Sequence, residues 1–425
     1  MRNMLLNTVI IIVLTALFFV GCKKDPQKSL YDPDYVSGPA PVITSVSPDS
    51  TFAGIGEVVI RGENFIADVE KNWVYFDKKQ ATIMNATTNE LQVIAPSVVS
   101  DTAKLKVGVF GSDQFSNIIE YKLMAAVENI SNFKPSEEPL KMTCDNEGNV
   151  YFIMLSDVFA GTLADSVYML NYITKEVKGI GPAKKRYDAL RIGPTNQLYA
   201  LHGTRKHMYV YPADGGEPER KSIKKKIYDF DFDAEQNIWG AGKDGSGIIK
   251  ANINDWTLSY FDHSGEVSAV KIFNGDLYLA TKTDSTHIIY KKAIVSADSL
   301  GPAEEYFNLA QVFDMTTTTG DEVTGMSFSQ DGHLYIACKD DPNAANSPAV
   351  VVVSPGGGSF EPLYSVLFSS ERKNNSLTWG VFNGTNLFLS RTATYSVEGE
   401  VISSAVILRV NTLKKGAPEY GRGDQ

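Results

Sequence analysis

Cysteine is nearly absent from this 425-residue chain: Cys22, Cys144 and Cys338 are the whole supply. Three cysteines make no disulfide framework, and no C-x-x-C pair for zinc or redox chemistry occurs. Histidine is scarce too, five in all, and His202 and His207 lack the i, i+2 spacing that puts two ligands on one face of a strand. There is no phosphate loop and no nucleophile elbow, so no catalytic residue is singled out and no cofactor is called for. Positive excess is missing as well. A net charge of −10 excludes a general nucleic-acid binder, because phosphate neutralisation needs a basic face.

Long apolar runs are confined to the first 20 residues. Met4 to Val20, behind Arg2 and broken by Asn7, Thr8 and Thr15, is shorter than the ~20 residues that span a bilayer. Its form is that of a secretory signal. It ends in "VGC", which resembles the lipobox of bacterial lipoproteins. That resemblance implies a cut after Gly21 and a diacylglycerol on the Cys22 sulfur, although Phe19 stands where an aliphatic residue is usual. An uncleaved anchor is the alternative. Residues 22–39, polar and rich in proline, read as a tether leading away from a membrane.

What the chain has in abundance is aromatic residues, with 20 tyrosines and 21 phenylalanines, set in short alternating runs between Gly, Asn and Asp turns. That pattern predicts an all-β protein. The first unit carries "PVITSVSP" at 41–48, "VVIRGENF" at 58–65, "VYFD" at 74–77 and "LQVIAP" at 91–96. In order and spacing these resemble the IPT/TIG module, which implies an immunoglobulin-like sandwich over residues 40–123, with Gly62 and Phe65 as structural positions.

The rest repeats. "CDNEGNVYFI", "IGPTNQLYAL", "FDAEQNIWGA", "IFNGDLYLA", "FSQDGHLYIA" and "FNGTNLFLS" share one hairpin, with aromatics Tyr151, Tyr199, Trp239, Tyr278, Tyr335 and Phe388 spaced 39 to 57 residues apart. Such periods fit a four-stranded blade each, hence a six-bladed β-propeller over residues 125–415 and a tail at 416–425. In four repeats two apolar residues flank a middle one, Thr143, Arg191, Asp231 or Ser327, which predicts an inner strand with period two. The D-x-x-G-N-x-Y turn resembles NHL-type propellers, a resemblance specific for fold and weak for function.

Candidate chemistry is then placed on that frame. Counting 13 residues back from each aromatic predicts the channel mouth at Glu138, Arg186, Lys226, Gly265, Glu322 and Asn375. A ring that mixes carboxylates with Arg and Lys opposes a divalent metal, so no metal ligand is assigned. "KKR" (Lys184, Lys185, Arg186) and "RKSIKKK" (with Lys224, Lys225, Lys226) enter adjacent blades on one face and would attract an anion; solvated loops are the alternative. Trp73 and Tyr75 alternate with inward Val74 and Phe76, and so form either a sugar-stacking platform or a surface packed on the propeller. Cys144 fits a small core position. The terminal "GRGDQ" contains Arg-Gly-Asp, an integrin-ligand tripeptide too short to weigh much.

Lipobox, tether, IPT/TIG module and NHL-like propeller together resemble surface lipoproteins of Gram-negative polysaccharide-utilisation systems. The resemblance implies an outer-membrane, lipid-anchored and non-catalytic protein on the cell surface, or on the periplasmic face. Its ligand would be a polysaccharide or oligosaccharide, acidic in preference, and its neighbour an outer-membrane importer. Two other readings stand beside this one: a metal-dependent lactonase or lyase with its site in the channel, and a protein-binding adhesive module.

Overall fold

A computed structural model describes residues 36–424 apart from 243–246, 284–286, 297, 313–321, 340–348, 365–366, 368–373 and 397–399. Cys22 and most of the tether lie outside the described residues. The described elements are β-strands and short 3-10 helices, and none of those helices is long and apolar enough to cross a membrane.

The first domain is a sandwich of two sheets. One has the order Val42–Ser47, Glu57–Glu63, Glu90–Ile94, Thr82–Ala86; the other Ser50–Phe52, Ile119–Met124, Ser100–Val109, Asn72–Phe76, Lys79–Gln80. Alternation decides what lies between them. Val58, Ile60, Val74, Phe76, Leu91, Val93, Leu105 and Val107 face inward and are buried. Gly62 is required because a Cβ there would meet the Val42 carbonyl oxygen at 2.0 Å and the Phe65 ring at 2.5 Å.

Six sheets of four or five strands follow, with a small two-stranded one beside the sixth blade, and the inner strands of the six form a ring. These strands are Glu138–Cys144, Ala189–Ile192, Asp229–Phe232, Glu266–Phe273, Glu322–Phe328 and Asn374–Trp379, one for each of blades one to six. The sixth sheet is completed by Val127–Asn129, the first strand of the propeller, which pairs antiparallel with Val406–Asn411 near the end. Pairing the two ends of the domain leaves the ring without an open seam. Arg409 and Glu128 add an ion pair at 2.6 Å across it.

The repeated turn has a physical cause. In blade one the Asp145 carboxylate accepts from the amides of Glu147 and Asn149, from Asn149 Nδ2 and from the Tyr151 hydroxyl, at 2.8–3.1 Å. Asp233 does the same in blade three, accepting from the Asn237 amide and side chain and from Trp239 Nε1 at 2.7 Å. One carboxylate thus fixes both the turn and the aromatic that anchors the blade. Cys144 and Cys338, in blades one and five, are both buried with no disulfide between them, and burial pushes the Cys144 thiol well above its ordinary value.

The middle residues of the inner strands point onto the channel axis. Arg191 donates to both oxygens of Asp229 (2.9 and 3.0 Å), and Lys271 pairs with Asp231 at 3.1 Å. The terminal residues 416–424, expected as a tail, instead plug one end of this channel. Glu419 pairs with Lys271 and accepts from Ser327, while Arg422 pairs with Asp424 at 2.8 Å and donates to the Gly380 carbonyl at 2.6 Å. Arg422 and Asp424 side chains are each only 3% exposed, so the Arg-Gly-Asp tripeptide is a structural strap and not a displayed ligand. Close packing requires Gly421 just ahead of the tripeptide, where a Cβ would lie 2.4 Å from the Ile192 carbonyl oxygen, whereas Gly423 takes the left-handed φ of +76° that ends the short helix. Burial raises Asp231 above its ordinary carboxylate value in spite of Lys271; burial acts on Glu419 in the same sense, but Lys271 and Arg422 pull it below.

Removing one partner of a buried ion pair costs about 3–5 kcal/mol, because the other charge is left without compensation. Glu419→Ala is therefore expected to destabilise the propeller by that order in urea unfolding. Arg61→Ala, which breaks the exposed pair with Glu90, should cost under about 1 kcal/mol. Equal effects of the two would show that the plug contributes nothing special.

Candidate functional site

At the other end of the channel from the ion-paired plug lies a cup of about 160 Å³ lined from all six blades. Lys141, Asp188, Tyr228, Ser268, Thr324 and Asn375 each come from a different blade, with Arg186 and Tyr187 at the rim of blade two. Four of the six are aimed there by β-bulges. The inner-strand register slips between Pro139 and Met142, Val267 and Ala269, Val323 and Gly325, and Asn374 and Ser376. The extra residues are Lys141, Ser268, Thr324 and Asn375, so each bulge turns out of the ladder a polar side chain that a regular strand would not present.

The polar groups are held in fixed directions. Thr324 donates its hydroxyl to the Asn374 carbonyl at 2.8 Å, and Ser268 donates to Ala280 at 3.4 Å, which leaves lone pairs as acceptors. Asn375 Nδ2 donates to the Pro139 carbonyl at 2.9 Å and to Glu138 at 3.1 Å. Tyr187 and Tyr211 share a hydroxyl contact at 2.7 Å, and burial pushes Tyr187 up to about 12. Below the cup, between Arg191, Asp231, Glu419 and Arg422, only about 10 Å³ remains, close to the limit for a single water. The channel is therefore closed beneath its mouth.

The 13-residue count reaches this ring only in part. Arg186 and Asn375 line the cup, and Glu138 touches it through Asn375. In blades three, four and five the mouth is formed by Tyr228, Ser268 and Thr324, two or three residues after Lys226, Gly265 and Glu322. The varying hairpin lengths account for the offset. Glu322 opens its strand opposite Lys339, and its side chain lies outside the described residues.

The basic runs are divided. Lys184 is paired with Glu217 at 2.7 Å, Arg186 enters the cup, Lys185, Lys224 and Lys226 are exposed, and Lys225 turns toward a groove between blades three and four. Trp73 and Tyr75 do face outward, as alternation requires, but on the other domain. Phe115 lies edge-on to Tyr75 at 6.0 Å, and the Lys106 ammonium sits 4.2 Å from the Phe115 centroid. One approach between the domains is that of Gly54 to Leu367. Sequence reasoning missed Lys141, Ser268 and Thr324, although a polar residue just ahead of each apolar inner strand was the available signal.

Residues 41–122 match the IPT/TIG domain family, so that domain is present. No curated protein matches the chain. Several solved structures are similar in fold. A protein of Bacteroides thetaiotaomicron provisionally assigned as a phosphatase is 11% identical, covering 90% of this chain and 98% of its own, with a TM-score of 0.51. A luciferin-regenerating enzyme is 12% identical over 69% of this chain and 98% of its own, TM-score 0.50. An auxiliary nutrient binding protein of Bacteroides thetaiotaomicron is 10% identical over 89% and 98%, TM-score 0.47. At such identities the likeness establishes the fold: an immunoglobulin-like domain followed by a six-bladed β-propeller.

Both propeller cysteines are buried, Cys144 at the plugged end of the channel, and neither lines the cup. A disulfide-exchange reagent is expected to leave Cys144 and Cys338 unlabelled in the native protein and to label both in denaturant, counted by mass spectrometry. Rapid native labelling of either would mean the blades open at those positions.

Proposed function

We propose that this protein is a non-catalytic, lipid-anchored surface lipoprotein whose propeller mouth binds a glycan, with acidic sugars preferred, beside an outer-membrane importer. The observation that supports it is the mouth itself: fixed hydroxyl, amide and cationic groups from six blades converge over a channel that ends beneath them. Sugars present many hydroxyls that both donate and accept. Ser268 and Thr324 supply acceptors, and Lys141 and Arg186 supply donors that suit a carboxylate or a ring oxygen. A cup of about 160 Å³ is smaller than the ~300–1,000 Å³ of sites that enclose a drug-sized ligand, so it takes one sugar of a chain that continues across the face. The Gly21-Cys22 pair and the polar tether support the anchor.

The enzyme reading needs acids converging on a metal. Among the described residues no three His, Cys, Asp or Glu side chains are grouped for one. The experiment reads both possibilities.

Purified protein run through gels containing neutral or acidic polysaccharides should be retarded by at least one of them. The triple variant Ser268→Ala, Thr324→Val, Asn375→Ala should bind roughly tenfold more weakly or worse, since each hydrogen bond contributes about 0.5–1.5 kcal/mol. Retardation by none, with metal-dependent opening of lactones instead, would overturn the reading. For the anchor, Cys22→Ser is expected to move the protein from the membrane fraction to the soluble fraction of cells; unchanged sedimentation would remove the lipid from the account.

A further inference from the structure

Between blades three and four lies a second, larger cavity, a groove of about 720 Å³. Lys225, Asp262, His263 and Lys292 line it, and two glycines shape its floor. Gly247 has φ +74° and a Cβ there would lie 2.5 Å from the Phe261 carbonyl oxygen; Gly265 has φ +96° and would meet the Thr281 methyl at 2.5 Å. Side chains at these positions would collide with the blade or fill the groove, so the open space is built into the turns.

Two cations face it. A left-handed residue, Lys224 (φ +55°), reverses the chain so that Lys225 places its ammonium 5.3 Å from the Tyr260 ring centroid. Lys292, on the third strand of blade four, donates to the Asp262 backbone carbonyl at 3.4 Å. Among the described residues neither lysine is paired with a carboxylate. Asp262 is the single acid among the described lining residues. His263 is held by Thr281 Oγ1 at 2.9 Å and packs against Tyr290; burial, then Lys292, lowers its pKa to about 4. It therefore meets a ligand as a neutral hydrogen-bonding ring, with Lys225, Lys292, Asp262 and Tyr290 around it.

Groove and cup are neighbours along both walls. Lys225 is three residues before Tyr228 of the cup, and Gly265 three before Ser268, at most about 10 Å of chain. One short oligosaccharide can reach both. We infer that the groove is the subsite for an anionic substituent, a carboxylate or a sulfate, on a glycan whose neighbouring sugar occupies the mouth. The inference rests on the glycan-binding reading and adds where the anion is held.

The test uses the purified full chain and three probes by calorimetry: oligogalacturonate (carboxylate), sulfated dextran oligosaccharide (sulfate) and plain dextran oligosaccharide (neutral). The wild type should prefer at least one anionic probe to the neutral one, and that probe names the substituent. Lys225→Gln with Lys292→Gln should lower its affinity at least tenfold and leave neutral binding and the melting temperature unchanged. Asn375→Ala, in the cup, should weaken both classes. Affinity should be flat from pH 8 to 5, because the lysines carry the charge; strengthening over that range would make His263 the cation and overturn the lysine assignment. Equal wild-type affinity for neutral and anionic probes would overturn the subsite and leave glycan binding standing. Binding of no probe would sink both.

Discussion

Charge buried on the channel axis is the constraint to which much of this propeller answers. A ring of six inner strands directs alternate side chains at one another, and in three blades those side chains are Arg191, Asp231 and Lys271. Each ion taken out of water costs several kcal/mol unless it is paired and hydrogen-bonded. The chain supplies the missing partners from its own end. Glu419 reaches Lys271, and Arg422 and Asp424 pair with each other while Arg422 caps carbonyls of blades one and six. Asp229, Asp231, Glu419 and Asp424 outnumber Arg191, Lys271 and Arg422 by one. Burial, the largest influence on Asp231, raises it above its ordinary carboxylate value, the direction that disfavours a further negative charge on the axis.

That arrangement has consequences at both ends of the molecule. The last residues are locked into the axis, and the first strand of the propeller is locked into the sixth sheet, so neither terminus of the domain can fray without opening the ring. With one end filled, the channel is no passage. What remains open is a shallow cup, and its character is set by the bulges that rotate Lys141, Ser268, Thr324 and Asn375 out of their ladders. The same strands thus serve two demands along their length: apolar and ion-paired where they form the ring, polar and unladdered where they meet solvent.

The architecture was legible because it repeats. Tyr151 and Trp239 recur with the acid that binds them and the Asn that binds the same acid, and an Asp-to-aromatic turn leaves the same trace in sequence each time it is used. Val74 and Phe76 against Trp73 and Tyr75 were equally plain, since a strand with one buried face must alternate. The mouth was read only in part, for a physical reason. The hairpin between the inner strand and the aromatic varies in length, so a fixed count of 13 found Arg186 and Asn375 yet ran past Ser268 and Thr324, which stand only 10 and 11 residues before Tyr278 and Tyr335. The plug was not legible at all. "PEYGRGDQ" is polar and terminal, the signature of an exposed tail, and nothing local in it reports that Lys271, more than 140 residues away, pairs with Glu419. Burial of a polar segment is a property of its partners.

A net charge of −10 sits uneasily with an anionic ligand, and the distances decide whether it matters. At physiological ionic strength the field of an exposed charge decays over about 8 Å, so acids on the far side of the molecule are screened from a ligand at the mouth. What such a ligand meets is local: Lys141, Arg186 and Asp188 in the cup, then Lys225, Lys292 and Asp262 in the groove. Among the described lining residues cations outnumber acids two to one in each. The buried acids of the axis do not reverse this, because Asp229 is neutralised by Arg191, and Asp231 and Glu419 lie against Lys271. Neutralising the axis internally is therefore also what allows the face above it to be positive. On the proposed reading, the ion pairs that hold the ring together also bear on which sign of ligand the mouth accepts.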